Sequence, residues 1–230
     1  MSSELFVPLG RVSRRVKNLM RFGLACGVAY IVLIACKPFP LNTMYYGFMV
    51  EVAERTMLPA CLVLFCMGAA RFDSFERVRR NPVDEFRLNT RWLVFSTFVT
   101  ALPVSVLFVV AGVLRESVST PQEWTLCAIM LLQLLMMNAS VTLFVWLLMN
   151  LGIAWGQILP PAIAIPIIAD FCLKLMPGDL TRYVFYFWYP IDDSLALVFI
   201  QQVVPFIGYC LLMGIANIAV FNCRDRLRMS

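Results

Sequence analysis

The stretch that decides the fold is WLVFSTFVTALPVSVLFVVAGVL, residues 92–114, which contains no charged side chain. A helix needs about 20 mostly apolar residues to cross the hydrocarbon layer of a bilayer, and this stretch is long enough. The whole chain of 230 residues is 61% hydrophobic and only 14% charged. Because a soluble core cannot hide so much apolar surface, the composition predicts an integral membrane protein.

Five further apolar runs flank this stretch, and together they predict one all-α membrane domain over residues 1–230 with six transmembrane helices. The expected spans are residues 21–36, 52–70, 92–114, 124–149, 157–175 and 195–221. Fourteen of the nineteen lysine and arginine residues lie in segments 11–21, 71–91 and 224–228, which share one side in a six-span arrangement. Since positively charged segments stay in the cytoplasm, both termini are expected there.

Two segments outside the spans have the pattern of membrane-surface elements. The first twenty residues alternate basic and apolar side chains at helical spacing, which indicates either an interfacial amphipathic helix or a cluster of charges that only sets topology. The segment YVFYFWY, residues 183–189, is too aromatic for a free loop. We expect it to rest on or dip into the outer leaflet between spans five and six.

Several kinds of chemistry are not expected of this chain. It has no histidine, its eight cysteines lack CxxC spacing, and it contains no GxxxxGK[ST], HExxH or GxSxG sequence. We therefore predict no catalytic residue, no metal ligand and no cofactor bound by this chain, and we do not expect an enzyme. The net charge of +5 is explained by topology, so no nucleic-acid partner is expected either.

The first span has small residues four apart, in two overlapping pairs. Gly23 and Gly27 form one pair, and Ala25 and Ala29 form the other. Such spacing lets a second helix approach closely. It predicts helix packing within this chain or dimerisation with another.

Charged residues between the first two predicted spans, near the outer end of the second, allow two interpretations. Glu51, Glu54 and Arg55 would share one face of an α-helix. An ion pair between Glu51 and Arg55 near the outer interface is one interpretation, and the lining of a substrate entrance is the other.

Polar residues inside later spans mark a candidate translocation path. Thr100, Asn138, Thr142 and Asp170 are directed away from lipid, either into hydrogen bonds between helices or into a passage. A buried Asp170 needs a partner, and Lys174, one turn later, is the expected one.

The connection between spans two and three is RFDSFERVRRNPVDEFRLNTRW, residues 71–92, with ten of the thirty-three charged residues. Asp73 followed by Glu76 is a capping-box pattern, and Asn81 followed by Pro82 is a second helix start. The loop is therefore expected to form two short helices, which suits docking on another protein.

This arrangement resembles the permease subunit of a type 2 ABC transporter, especially the short permeases of bacterial exporters of antibiotics, antimicrobial peptides or lipids. The resemblance implies a coupling helix that docks on a separate ATPase, which carries ATP and magnesium, and a homodimer or a sister permease in the bacterial inner membrane. The docking residues it implies are Phe72, Phe75, Glu76, Arg77, Arg79, Arg80, Asn81 and Pro82.

Two other functions remain open from the sequence. One is a substrate-capture subunit like the six-span vitamin-binding components of importers, which would use the small residues of the first span to dock on its partner. The other is a channel or a membrane scaffold protein.

Overall fold

The fold is known from a computed structural model, which describes residues 14–36, 39–70, 82–115, 120–176, 180–191 and 194–229. All regular secondary structure within these ranges is helical. In chain order the helices are α1 (Arg14–Ala35), α2 (Leu41–Gly47), π1 (Phe48–Met57), α3 (Leu58–Gly68), α4 (Pro82–Leu114), α5 (Pro121–Asn150), α6 (Trp155–Lys174), α7 (Thr181–Val184), α8 (Leu195–Val198), π2 (Phe199–Val203) and α9 (Val204–Met229).

Four helical stretches are long and apolar enough to cross a membrane: Val83–Leu114, Pro121–Asn150, Trp155–Lys174 and Leu195–Cys223. They correspond to the last four predicted spans, so the prediction of an all-α membrane protein is confirmed at this level. A shorter apolar helix, Arg21–Leu33, lies within α1. Residues 14–20, which were expected in a surface helix, are the start of α1 and continue directly into it.

The hairpin of α5 and α6 shows how the chain reverses direction. Gly152 has a φ of +99°, a left-handed conformation that glycine adopts without steric cost. Its N–H donates to the Met149 carbonyl, and the Ile153 N–H donates to the Leu148 carbonyl, which together form a Schellman cap. We call this end of the molecule the Gly152 end.

The opposite end holds the start of α5, where the Glu123 carboxylate accepts a hydrogen bond from the Thr120 N–H at 2.7 Å. The Arg115 guanidinium at the end of α4 lies 3.0 Å from the Met44 sulfur, so the chain before π1 is at this end as well. We call it the Thr120 end.

Helix α5 lies at the centre of the core, where it packs against α3, α4, α6 and α9. Ring contacts between Phe86 and Trp146, and between Phe86 and Phe221, join α4, α5 and α9 near the Gly152 end. By contrast, α6 buries little of its apolar surface: Ile165, Ile168 and Phe171 are each more than half exposed. In a membrane protein such a surface faces lipid or another subunit.

Residues 41–68 form one continuous helix whose middle part, π1, is wound more loosely. The N–H of Leu58 donates to the carbonyl of Ala53, five residues earlier, as in a π-helix. The predicted second span, residues 52–70, therefore covers only the later part of a longer helix.

The three prolines of the fifth predicted span lie inside α6, which begins at Trp155 and continues through Pro160, Pro161 and Pro166. We expected the helix to begin or kink there, because each proline removes a backbone donor. Pro160 and Pro161 are exposed and Pro166 is half-buried.

Candidate functional site

A cavity of about 220 Å³ lies between π1, α6 and the segment 185–190. Its polar lining consists of Glu54, Asp170, Lys174 and Trp188. Its apolar lining includes Met49, Phe185 and Tyr189. The cavity therefore combines charged groups with aromatic rings, as ligand sites in proteins commonly do.

Both carboxylates of the cavity are buried, each in a residue that is only 5% exposed. The indole Nε1–H of Trp188 donates to Glu54 Oε1 at 2.7 Å. The ammonium of Lys174 lies 2.7 Å from Asp170 Oδ2, so the predicted Asp170–Lys174 pair is confirmed. Within the described part of the chain, Glu54 Oε2 and Asp170 Oδ1 accept no hydrogen bond.

The loose winding of π1 decides which side chains reach the cavity. A π-helix turns less per residue than an α-helix, so Glu54, three positions after Glu51, lies farther from it around the axis, whereas Arg55 stays on the exposed side with Glu51. Glu51 instead accepts a hydrogen bond from the hydroxyl of Tyr30 at 3.1 Å on the exposed side, and Glu54 faces inward. The predicted ion pair between Glu51 and Arg55 does not form in the described structure.

The aromatic segment 185–191 is fixed to the core by Gln133, which is completely buried on α5. Its Nε2 donates to the Tyr189 carbonyl at 3.0 Å and to Gln202 Oε1 at 2.9 Å. Its Oε1 accepts a hydrogen bond from the hydroxyl of Tyr45, which in turn accepts one from the Ile191 N–H at 3.2 Å. This network places Trp188 beside Glu54.

Gln202 completes the attachment from the other side of the segment. Its Nε2 donates to the carbonyls of Tyr186 and Tyr189, at 3.0 and 2.9 Å. Gln202 belongs to π2, where the Val204 N–H donates to the Phe199 carbonyl five residues earlier. Each π-helix therefore carries a buried polar side chain that contacts the segment 185–191: Glu54 on π1 and Gln202 on π2.

Three of the four candidate path residues come together, and the fourth does not. Asn138 Nδ2 donates to Thr100 Oγ1 at 3.1 Å, and Thr142 Oγ1 lies 3.6 Å from the sulfur of Cys61. These three residues and Cys61 are buried between α3, α4 and α5. Asp170 lies apart from them, in the cavity beside Glu54.

This buried polar cluster leaves some groups unsatisfied. Asn138 Oδ1 and the hydroxyl of Thr97 are buried and have no hydrogen-bond partner in the described residues. Thr97 also lines an apolar cavity of about 300 Å³ between α4, α5 and α9, whereas Thr100, Asn138 and Thr142 take part in contacts between helices.

The two glycines of the small-residue pattern pack within the chain. A Cβ on Gly23 would lie 3.0 Å from the Cβ of Ala60, and one on Gly27 would lie 2.4 Å from the Met57 methyl group. Ala25 and Ala29 lie on the exposed side of α1. The face formed by Gly23 and Gly27 is therefore occupied by π1 and α3.

The predicted docking residues Phe72, Phe75, Glu76, Arg77, Arg79, Arg80 and Asn81 lie outside the described residues, and of Pro82 only its position at the start of α4 is described. The helix ends on both sides of them are described. Asn89 on α4 is bonded to both polar backbone atoms of Ala70: its Oδ1 accepts from the Ala70 N–H at 2.7 Å, and its Nδ2 donates to the Ala70 carbonyl at 3.0 Å.

A second contact joins the same two helices one turn away. The indole Nε1 of Trp92 lies 3.2 Å from the Leu64 carbonyl and 3.3 Å from the Phe65 carbonyl. Gly68 allows this approach, because a Cβ there would lie 2.2 Å from the indole ring. Asn89 and Trp92 therefore clamp the end of α3 to the start of α4.

Several of these residues carried only weak signals in the sequence. Gln133 and Gln202 are amides within apolar runs, and such residues are expected to find a buried partner. Trp188 belonged to the aromatic segment, but nothing local connects it with Glu54, 134 residues earlier. Asn89 and Trp92 lie in a helix whose sequence gives no sign of the backbone atoms that they bind.

Comparison of the chain with protein-family models, with curated proteins and with solved structures gives no match.

Proposed function

We propose that this chain is the membrane subunit of an ATP-driven exporter, energised by a separate ABC-type ATPase that docks on residues 72–82. In this proposal α1 and the helix 41–68 cross the bilayer together with the four longer helices, which gives six spans. The Gly152 end faces the cytoplasm of a bacterial cell, and two copies, or this chain and a sister permease, form the transport path.

The observation that carries this proposal is the clamp at Asn89 and Trp92. An ATPase can move transmembrane helices only if the segment that it contacts is rigidly joined to them. The two helix ends that residues 71–81 connect in the sequence are held together by the Asn89 amide, bonded to both polar backbone atoms of Ala70, and by the Trp92 indole N–H, shared between the Leu64 and Phe65 carbonyls. Displacement of this segment would therefore be passed to α3 and α4 together.

The charges of residues 76–80 also suit docking on a partner protein. Arg77, Arg79 and Arg80 make this stretch of the sequence basic, and Glu76 precedes them directly. Complementary charges steer association and fix the orientation of a partner. An ATPase with an acidic groove would therefore suit this basic stretch.

The first experiment tests docking. Purified chain is mixed with a candidate ABC-type ATPase, and complex formation, ATP hydrolysis and transport are measured with the wild type and with the Glu76→Ala, Arg79→Ala double variant. We expect the variant to lose substrate-stimulated ATP hydrolysis and transport while it remains folded. Undiminished coupling in the double variant would refute the docking role.

The second experiment separates docking from transmission. Asn89→Ala removes the clamp on Ala70 but leaves residues 72–81 unchanged, so we expect ATPase binding to persist and transport per ATP hydrolysed to fall. Thr90→Ala is the matched control, since Thr90 is exposed and bonds only the Phe86 carbonyl of its own helix. Equal transport by the two variants would show that the clamp does not transmit movement.

A substrate-capture subunit is a second candidate, favoured by the cavity with two buried carboxylates. Such a subunit would dock through the small residues of α1. Gly23 and Gly27 pack against Ala60 and Met57 instead, which leaves only the Ala25 and Ala29 side of α1 for a partner. A purified chain that retains a small molecule but binds no ATPase through residues 72–82 would favour this candidate.

A further inference from the structure

We propose that the cavity between π1, α6 and the segment 185–190 binds a small organic primary amine in its ammonium form. This inference goes beyond the proposed exporter function, because it concerns a property of this chain alone. It can be tested without an ATPase partner.

The charged groups that line the cavity favour a positively charged ligand. Glu54 and Asp170 supply two carboxylates, and Lys174 supplies one ammonium. Lys174 is bound to Asp170, so the negative charge of Glu54 has no cation bonded to it among the described residues. A buried carboxylate is costly to keep charged, and a cationic ligand bonded to Glu54 would stabilise it more than Arg55 and Lys174, which act on it without a direct bond.

Hydrogen bonding selects the kind of cation. Glu54 Oε2 and Asp170 Oδ1 are acceptors without donors, in residues that are 5% exposed. A primary ammonium has three N–H donors, so one such group can bond to more than one acceptor of the cavity. A quaternary ammonium has none. A calcium ion takes six to eight oxygen ligands, far more than this cavity supplies beside a lysine.

The remaining residues of the cavity lining favour a ligand whose other part is apolar. The rings of Phe185 and Trp188 have centroids 5.5 Å apart, and Met49 lies beside them. Aromatic rings bind both apolar groups and cations. The volume of about 220 Å³ equals about seven water molecules. It is below the roughly 300 Å³ at which sites for drug-sized ligands begin, so an amine with one ring and a short chain is the expected size.

The experiment uses the full-length chain in lipid nanodiscs at pH 8, without an ATPase. Phenethylamine, which is protonated at this pH, is titrated by calorimetry, and 2-phenylethanol serves as a neutral probe of nearly the same shape. We expect one saturable site for the amine and binding of the alcohol that is weaker by at least about tenfold, because hydrogen bonds to charged groups are lost. Equal affinity for both probes, or no saturable binding of the amine, would overturn the proposal.

Three variants assign the binding to these residues. Glu54→Gln keeps the shape but removes the charge, so the amine should bind at least about tenfold more weakly. Glu51→Gln, which makes the same change on the exposed side of π1, should bind as the wild type does. Lys174→Gln removes the competing cation and should bind the amine several-fold more tightly.

Amine affinity should fall in Glu54→Gln and rise in Lys174→Gln, so the two variants test the site independently. If Glu54→Gln does not fold, the Lys174→Gln variant and the ratio of amine to alcohol affinity still decide. Weaker amine binding by Lys174→Gln, or unchanged binding by a folded Glu54→Gln, would refute the site. Failure of either test would leave the docking of an ATPase on residues 72–82 unaffected.

Discussion

The substitution Gly68→Ala tests the close approach of α3 to the Trp92 indole on α4. A new Cβ would lie 2.2–2.3 Å from three atoms of the Trp92 indole, which is 4% exposed and cannot move into solvent. Rotation of the ring would break its bonds to the Leu64 and Phe65 carbonyls and leave a buried N–H unpaired, at a cost of about 1–3 kcal/mol. Overpacking costs roughly 1–3 kcal/mol more, and the better helix propensity of alanine returns about 1 kcal/mol.

We therefore expect Gly68→Ala to lower the free energy of unfolding by about 1–5 kcal/mol. The assay is reversible unfolding in mixed micelles, followed by circular dichroism. Gly214→Ala is the matched control, because a Cβ at this position of α9 meets nothing within 4 Å. It should be neutral or stabilising by up to about 1 kcal/mol. If both variants unfold like the wild type, the packing of α3 on α4 is not as described.

Two further substitutions test the packing of α1 and the attachment of the segment 185–191. Gly23→Leu should prevent stable folding, because even a Cβ there is 3.0 Å from Ala60, whereas Ala25→Leu on the exposed side should leave thermal stability unchanged; similar melting temperatures would contradict the packing of Gly23 within the chain. Gln133→Leu should lower the free energy of unfolding by at least about 2 kcal/mol, because buried hydrogen-bonding groups of its partners lose their bonds. It should also speed amide hydrogen exchange in residues 185–191. The control Gln157→Leu, at an exposed position, should change neither quantity.

The parts of the fold that follow from local composition were predictable from the sequence. The runs 92–114 and 124–149 are apolar over the length that a bilayer requires, and α4 and α5 contain them. The ion pair of Asp170 with Lys174 was predictable because both residues lie on one helix, four positions apart.

What could not be predicted depends on contacts between distant parts of the chain. No local pattern marks π1, yet its loose winding separates Glu54, which is buried in the cavity, from Glu51 and Arg55, which are exposed. The amphipathic pattern of the first twenty residues likewise did not show that residues 14–20 continue into α1 without a break. The docking role of residues 72–82 stays a prediction, since it depends on a partner.

The bond between Trp188 and Glu54 also has a consequence for the order of synthesis. The two residues are 134 positions apart, so at about 5–20 residues per second Glu54 exists for roughly 7–27 s before Trp188 has been made. During this time a carboxylate inside the first helical hairpin has none of its native partners from α6 or the segment 185–191. Until its native partners have been synthesised, the Glu54 side chain must therefore be hydrated, bound by another protein or protonated.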